Sequence, residues 1–171
     1  MQPTITTKRL LLRPFNRNDA ATVARLAGDK RVSDMTKNIP YPYSEDMAVD
    51  WICSHESEYE SGRSVVYAIT LKSDDAVIGA LGFVEITDNV GTLGYWLGCD
   101  YWGQGITPEA VNGMVNYYKE HHNLKGLAAT HFVENHRSRA VIGKLGLSYV
   151  EDTEIELQGK QRAISVHRMM F

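Results

Sequence analysis

The sequence predicts an α+β protein, layered as an α/β/α sandwich: a mixed, mostly antiparallel sheet of about 6–7 strands with about four helices on both faces. Three observations predict it. First, the apolar runs Val65 to Leu71, Ala76 to Ile86 and Thr92 to Leu97 are joined by the short polar turns Lys72 to Asp75 and Asp88 to Gly91, the pattern of an antiparallel meander. Second, the third run leads through a glycine loop and a helical stretch into Gly126 to Phe132, so those two strands would lie parallel on a right-handed crossover. Third, two stretches of helical period precede the meander. No linker, repeat or low-complexity segment breaks the 171 residues, which read as one domain, 1–171, with a sizeable core.

The elements follow in order. Residues 4 to 13 read as a strand through Ile5 and Leu10-Leu11-Leu12, ending at Arg13-Pro14. Asn16 to Gly28 reads as a helix, with Ala20, Val23, Ala24 and Ala27 on one face and Gly28 as its stop. Residues 29 to 43 read as a loop, because Pro40 and Pro42 fix an extended path. Tyr41 and Tyr43 in it serve either packing or substrate contact, since long loops in compact domains are often functional. Ser44 caps a second helix with Glu45 and Asp46 in its first turn, and Gly62 closes it. Its inner face is Ala48, Trp51, Ile52, His55 and Tyr59, which makes His55 a structural histidine. After the crossover, Asn135 caps a last helix ending at Gly146. Ser148 to Leu157 and Arg162 to Met170 then form a hairpin over Gln158-Gly159.

Bulk properties exclude several function classes. A net charge of −3 argues against a partner held by nucleic-acid phosphates, while tolerating a cationic substrate. No apolar run approaches a membrane span and the N-terminus lacks a signal-peptide core, so a cytoplasmic address is expected. Cys53 and Cys99 make no disulfide framework, and no metal-ligand spacing is visible.

Residues 95 to 110 carry the strongest local signal. Tyr95-Trp96-Leu97 ends a strand, Trp102-Gly103-Gln104-Gly105 forms a loop with two glycines one residue apart, and Thr107-Pro108-Glu109 starts a helix with a cap, a first-turn proline and a first-turn acid. The free N–H groups of a helix N-terminus carry partial positive charge and suit a phosphate, and glycine lets backbone approach a ligand. The stretch is no Walker loop, because Gly-Lys-Ser/Thr is absent, and no dinucleotide fingerprint, because GxGxxG is absent.

This loop resembles motif A of the GNAT superfamily of acetyl-CoA-dependent N-acetyltransferases, particularly the branch of ribosomal-protein N-terminal acetyltransferases. Tyr101, Trp102, Gly103, Gly105, Glu109 and Ala110 match that branch. Pro108 stands where it usually has Thr, and Thr107 where it usually has Ala or Gly. The stretch Asn135-His136-Arg137-Ser138, followed by Lys144-Leu145-Gly146-Leu147, resembles motif B. The resemblance implies that backbone from Trp102 through Gly103, Gln104, Gly105 and Ile106 to Thr107 holds a pyrophosphate. It implies that Trp96 and Leu97 offer strand-edge backbone to the pantetheine arm, that Asn135 bonds that arm or the acetyl region, and that Ser138 sits near the thioester sulfur. Arg137, Arg139 and Lys144 become candidates for the nucleotide phosphates, and Tyr41, Tyr43 and His131 for acceptor contact. No metal is implied, and a homodimer would be in keeping with the branch.

Acetyl transfer to an amine needs a neutral nucleophile, a polarised carbonyl and a protonated leaving thiolate. The tyrosine that many acetyltransferases use as acid would fall at Ile142, so Ser138, or a water it orders, is the expected acid. The glutamate often used as base would fall near Leu93, leaving Glu85, with Asp88 and His131 as further candidates. Cys99 lacks an adjacent activating histidine and reads as a small buried thiol. The acceptor is either a protein N-terminus or a small amine. The alternatives are a catalytically inactive acyl-CoA sensor, or a binder of another nucleotide phosphate.

Overall fold

The computed structural model describes all 171 residues. One eight-stranded sheet runs in the order β1-β2-β3-β4-β5-β6-β8-β7. The strands are β1 (Ile5–Thr6), β2 (Leu10–Arg13), β3 (Val65–Leu71), β4 (Asp74–Thr87), β5 (Val90–Leu97), β6 (Gly126–Phe132), β7 (Ser148–Leu157) and β8 (Lys160–Met170). The helices are α1 (Ala20–Ala27), α2 (Lys30–Ser33), α3 (Glu45–Glu60), α4 (Ile106–His122) and α5 (His136–Lys144). All neighbouring strands are antiparallel except β5 and β6, the crossover pair.

Three local differences from expectation have physical causes. The first strand divides in two, because Thr7 N–H donates to Leu10 O and turns the chain back, pairing Ile5 with Leu12. Hence the sheet has eight strands. The segment expected to be all loop contains α2, a single turn whose first N–H groups are met by the Asp29 side chain accepting from Arg31 N–H. Third, the β4–β5 turn shrinks to Asp88 and Asn89, both at positive φ (53° and 62°), the twist-matched two-residue hairpin.

The sheet alternates its side chains between two cores. Leu10, Leu12, Tyr67 and Ile69 face α4, whose buried stripe is Ala110, Val111, Met114, Val115 and Tyr118. Ala68 and Ala80 face α1 and α3, meeting Val23, Ala27, Ala48 and Ile52. Each fully buried large apolar side chain contributes about 1.5–3 kcal/mol relative to exposure, so these faces outweigh the modest helix propensity of α4. On the outer side of α4, Glu109 and Gly113 lie one turn apart on the same face. A Cβ at Gly113 would stand 2.5 Å from Thr7 Cγ2, so glycine lets the β1–β2 hairpin close onto the helix.

One irregularity positions the site. β5 pairs with β4 as far as Leu97 but with β6 only through Leu93. From Gly94 onward the two central strands separate, while β6 continues alongside β8 to Phe132. The sheet therefore opens in its middle, beside the loop that leads into α4.

Candidate active site

The loop from Trp102 to Thr107 closes one side of this opening. Gly103 and Gly105 adopt φ +74° and +71°, the left-handed region where a side chain is strained. Gly105 is the N-cap of α4, which starts at Ile106; the expected cap, Thr107, is buried in the first turn. The N–H groups of Gly103, Gln104, Gly105, Ile106 and Thr107 donate to no protein acceptor. The Gln104 carbonyl turns outward to accept from Arg9 Nη1 at 2.9 Å. Donors thus gather on the groove side, at the positive end of a 17-residue helix.

This groove is lined by the residues expected to hold the pyrophosphate and the pantetheine arm, Trp96, Leu97, Trp102, Gly103, Gln104, Gly105, Ile106, Thr107, Asn135 and Ser138, and by Lys144. Arg137 lines it too, its guanidinium 3.7 Å from the centre of the Trp102 ring. Arg139 does not line it. The Trp102 indole N–H donates to Leu97 O at 2.8 Å, so that carbonyl is already taken. Gly98 N–H donates back to Ile78 O on β4, so by the alternation of an antiparallel strand Leu97 N–H turns the other way, into the opening. Asn135 caps α5 by accepting from Ser138 N–H and also donates to Met35 O, which fixes the neighbouring loop.

Behind the groove lies an inner cavity of about 220 Å³ between α1, α3 and the opened sheet. Tyr95, Trp96, Ser138 and Thr36 line both spaces and form the wall between them. In that wall the Tyr95 hydroxyl lies 2.6 Å from Ser138 Oγ. Burial pushes the Tyr95 phenol up to about 12, against the lowering effect of its bond to Ser138, so it keeps its proton at neutral pH. A third, more polar cavity lies outside the loop from Ser33 to Tyr41 and shares Thr36, Lys37, Asn38 and Ile39 with the inner one.

The remaining sequence-predicted residues are dispersed. Tyr43 lines the inner cavity, and burial raises its phenol. Tyr41 is exposed, lines the outer cavity and carries the Lys30 ammonium over its ring. Thr130 faces the inner cavity, so His131, one residue on, faces the other side of β6. There its Nε2 lies 3.2 Å from His167 Nε2, and its Nδ1 2.7 Å from Phe132 O. Glu85 is exposed beyond the bulge at Val84, accepts from the Thr87 hydroxyl, and lines none of the three cavities. Burial pushes the Cys99 thiol up, away from its nucleophilic form.

Comparison with known proteins gives this geometry its family. The model of the acetyltransferase (GNAT) domain matches residues 9–148. The chain belongs to the GNAT acetyltransferase family. An N-acetyltransferase of Bacillus licheniformis, p20, described as uncharacterized, is 30% identical over 144 residues, 83% of this chain and 80% of its own. Among solved structures, RimL, a ribosomal-protein alpha-N-acetyltransferase in complex with coenzyme A, superposes with a TM-score of 0.88 at 17% identity, covering 98% of each chain. The microcin C7 self-immunity acetyltransferase MccE, in complex with acetyl-CoA and AMP, gives 0.86 at 17% identity, over 96% of this chain and 93% of its own.

Within this GNAT enzyme, the position expected to carry a tyrosine acid is Ile142, which is fully buried among the core side chains. A tyrosine hydroxyl nevertheless reaches Ser138 from the facing strand, as Tyr95. In the sequence alone Tyr95 reads as a strand aromatic. The signal the sequence offers is its position, two residues before the end of the strand that leads into the glycine loop.

Proposed function

We propose that this acyltransferase moves an acetyl group from acetyl-CoA to a primary amine, by direct attack within a ternary complex. The acceptor is a protein N-terminus or a small amine. The observation that carries the reading is the Tyr95–Ser138 pair, set in the one wall common to a donor-rich groove and an apolar cavity. The RimL and MccE structures, which hold coenzyme A and acetyl-CoA, support assigning the groove to the donor. The residues fit such a group: five free backbone donors with Arg137 and Lys144 suit its phosphates, and the free edge from Gly94 to Leu97 suits an extended amide-bearing arm.

Acetyl-CoA brings an activated thioester, and the chain supplies the rest. Leu97 N–H is a fixed donor at the strand opening, suited to a developing oxyanion; such donors are worth about 10²- to 10³-fold in rate. Ser138 donates a proton to the departing sulfur and regains one through the Tyr95 hydroxyl, itself restored from water. With Tyr95 donating to Ser138 Oγ, the serine's own proton is left to point into the groove. The inner cavity admits the amine. No carboxylate lines it, so nothing there holds the amine in its charged, unreactive form. Glu85 has no part in this scheme, and loss of the amine's proton goes to water.

The test is calorimetric titration with acetyl-CoA, followed by thiol release with a panel of amines and N-terminal peptides. Saturable binding with amine-dependent release is the expected result. Binding without release on every acceptor would end the catalytic reading, and no binding would end the assignment of the groove.

A further inference from the structure

The inner and outer cavities meet at the segment from Thr36 to Ile39, and charge is distributed unevenly along them. The inner cavity has thirteen hydrophobic lining residues of twenty-one, and its one charged side chain is Lys37. Lys37 also lines the outer cavity, so its ammonium stands at the boundary between the two. The outer cavity adds Asp34 and Arg162, and both have ion partners: Asp34 with Lys30 at 2.7 Å, and Arg162 with Glu134. Lys37 has none. Its Nζ donates to Thr130 Oγ1 at 2.6 Å, and no carboxylate lies within ion-pair distance. Lys37 is an exposed residue whose ammonium is anchored on β6 by that bond, and partial desolvation lowers it below the ordinary lysine range.

Lys37 thus offers the cavity mouth a positive charge with no protein counter-ion, a place where a ligand anion would find its partner. The wall around it is apolar and lacks the carboxylates that would collect a polycation. A second positive charge entering the cavity would meet Lys37 and no compensating group. The volume, about seven waters' worth at roughly 30 Å³ each, admits a small apolar body or the end of a longer one.

We infer that the acceptor is a primary amine carrying an anionic group, carboxylate or phosphate, on an apolar body, and that Lys37 is the counter-ion of that group. The amine enters toward the Tyr95–Ser138 wall while the anion stays at the mouth between the two cavities. Polyamines and aminoglycosides are rejected by charge. This inference rests on the acetyl-transfer reading above and adds the acceptor's class to it.

The experiment compares matched amines: leucine with leucinamide, 4-(aminomethyl)benzoate with benzylamine, 3-aminopropyl phosphate with propylamine, and spermidine as a polycation. Thiol release from acetyl-CoA is measured for the full-length protein and for Lys37→Met and Lys37→Glu. Binding of the same amines to the coenzyme A-saturated protein is measured by calorimetry in parallel. The expected result is a preference of tenfold or more for the anionic member of at least one pair, seen chiefly in KM. Lys37→Met should collapse that preference to within about twofold, and Lys37→Glu should invert it toward spermidine. The carboxylate and phosphate pairs distinguish the two anion types. Equal use of charged and uncharged members, or preference for spermidine by the unaltered protein, overturns the inference while leaving acetyl transfer standing. If no amine releases thiol, the calorimetric arm decides: binding of anionic members that Lys37→Met abolishes supports the counter-ion, and its absence overturns it. Loss of acetyl-CoA binding in the unaltered protein is a different failure, that of the groove assignment. Retained acetyl-CoA affinity in both variants shows that they fold.

Discussion

The hydroxyls of Tyr95 and Ser138 lie 2.6 Å apart, although 43 residues separate them in sequence. The pair sits where the groove and the inner cavity share a wall, so under the proposed reaction a proton moved there passes between the two spaces. Ser138→Ala should lower kcat by about 10²-fold and Tyr95→Phe by about 10- to 100-fold, with acetyl-CoA affinity nearly unchanged. If the two hydroxyls act as one unit, the double variant should be little worse than Ser138→Ala. Because burial holds the Tyr95 phenol near 12, its proton stays on through the neutral range, and it should impose no descending limb on kcat below about pH 10. Thiol-release kinetics with calorimetry check each point; a fully additive double variant would separate the two roles.

The glycine loop yields a second prediction. Gly103 and Gly105 hold left-handed backbone, which costs a non-glycine residue about 1–2 kcal/mol. A Cβ at Gly103 meets nothing within 4 Å, so Gly103→Ala tests conformation rather than crowding. Its acetyl-CoA Kd should weaken about tenfold, while thermal stability falls only modestly. An unchanged Kd would show that the observed loop conformation is not what binds the donor.

Local chemistry made the strand–loop–helix stretch legible: aromatic strand residues, two close glycines and a first-turn proline all act within a few positions. The Gln158-Gly159 hairpin turn and the Asn135 cap were legible for the same reason. What escaped was settled by distant neighbours. Tyr95 gains its meaning only when α5 brings Ser138 against it. Lys37, in a segment that reads as loop, gains its meaning when the fold sets its ammonium on Thr130 at the cavity mouth. Glu85 looked well placed along the strand, yet the bulge at Val84 shifts the β4 register and leaves it outside. Glu109 read as a helix-dipole acid. In the fold it accepts from Thr7 Oγ1, Arg9 N–H and Arg9 Nε, a hundred residues away.

Glu109 is therefore a tie between the β1–β2 hairpin and the glycine loop, through Arg9 and the Gln104 carbonyl. Desolvation pushes its carboxyl up, and the bonds from Thr7 and Arg9 more than offset this, leaving it below the usual carboxylate range. A depressed carboxyl stabilises the fold above its unfolded pKa and loses that contribution as pH falls through the folded value. Glu109→Ala should cost about 2 kcal/mol and weaken acetyl-CoA binding together with it. Glu109→Gln, which keeps an acceptor, should cost less. Chemical denaturation at neutral pH, with calorimetry on the same samples, checks both; a stability loss without any change in binding would uncouple the hairpin from the loop.

His55 offers a prediction about acid stability. It lies buried on α3 against Phe15 and Trp51, with both ring nitrogens unbonded. It is thus the structural histidine that its helical face suggested, but one without polar partners. Burial alone lowers it from 6.5 to about 4, so the folded state holds it neutral. The unfolded chain then binds the proton more readily. Stability is full above pH 6.5, falls as pH drops from 6.5 toward 4, and levels off below that. The shift corresponds to about 3 kcal/mol at most. Phenylalanine preserves the ring's aromatic packing and removes the titration, so His55→Phe should flatten the stability–pH curve across that window while leaving neutral-pH stability equal or higher. Urea unfolding of both proteins at several pH values checks it. An unchanged slope in His55→Phe would assign the acid sensitivity to other groups, the depressed carboxyl of Glu109 first among them.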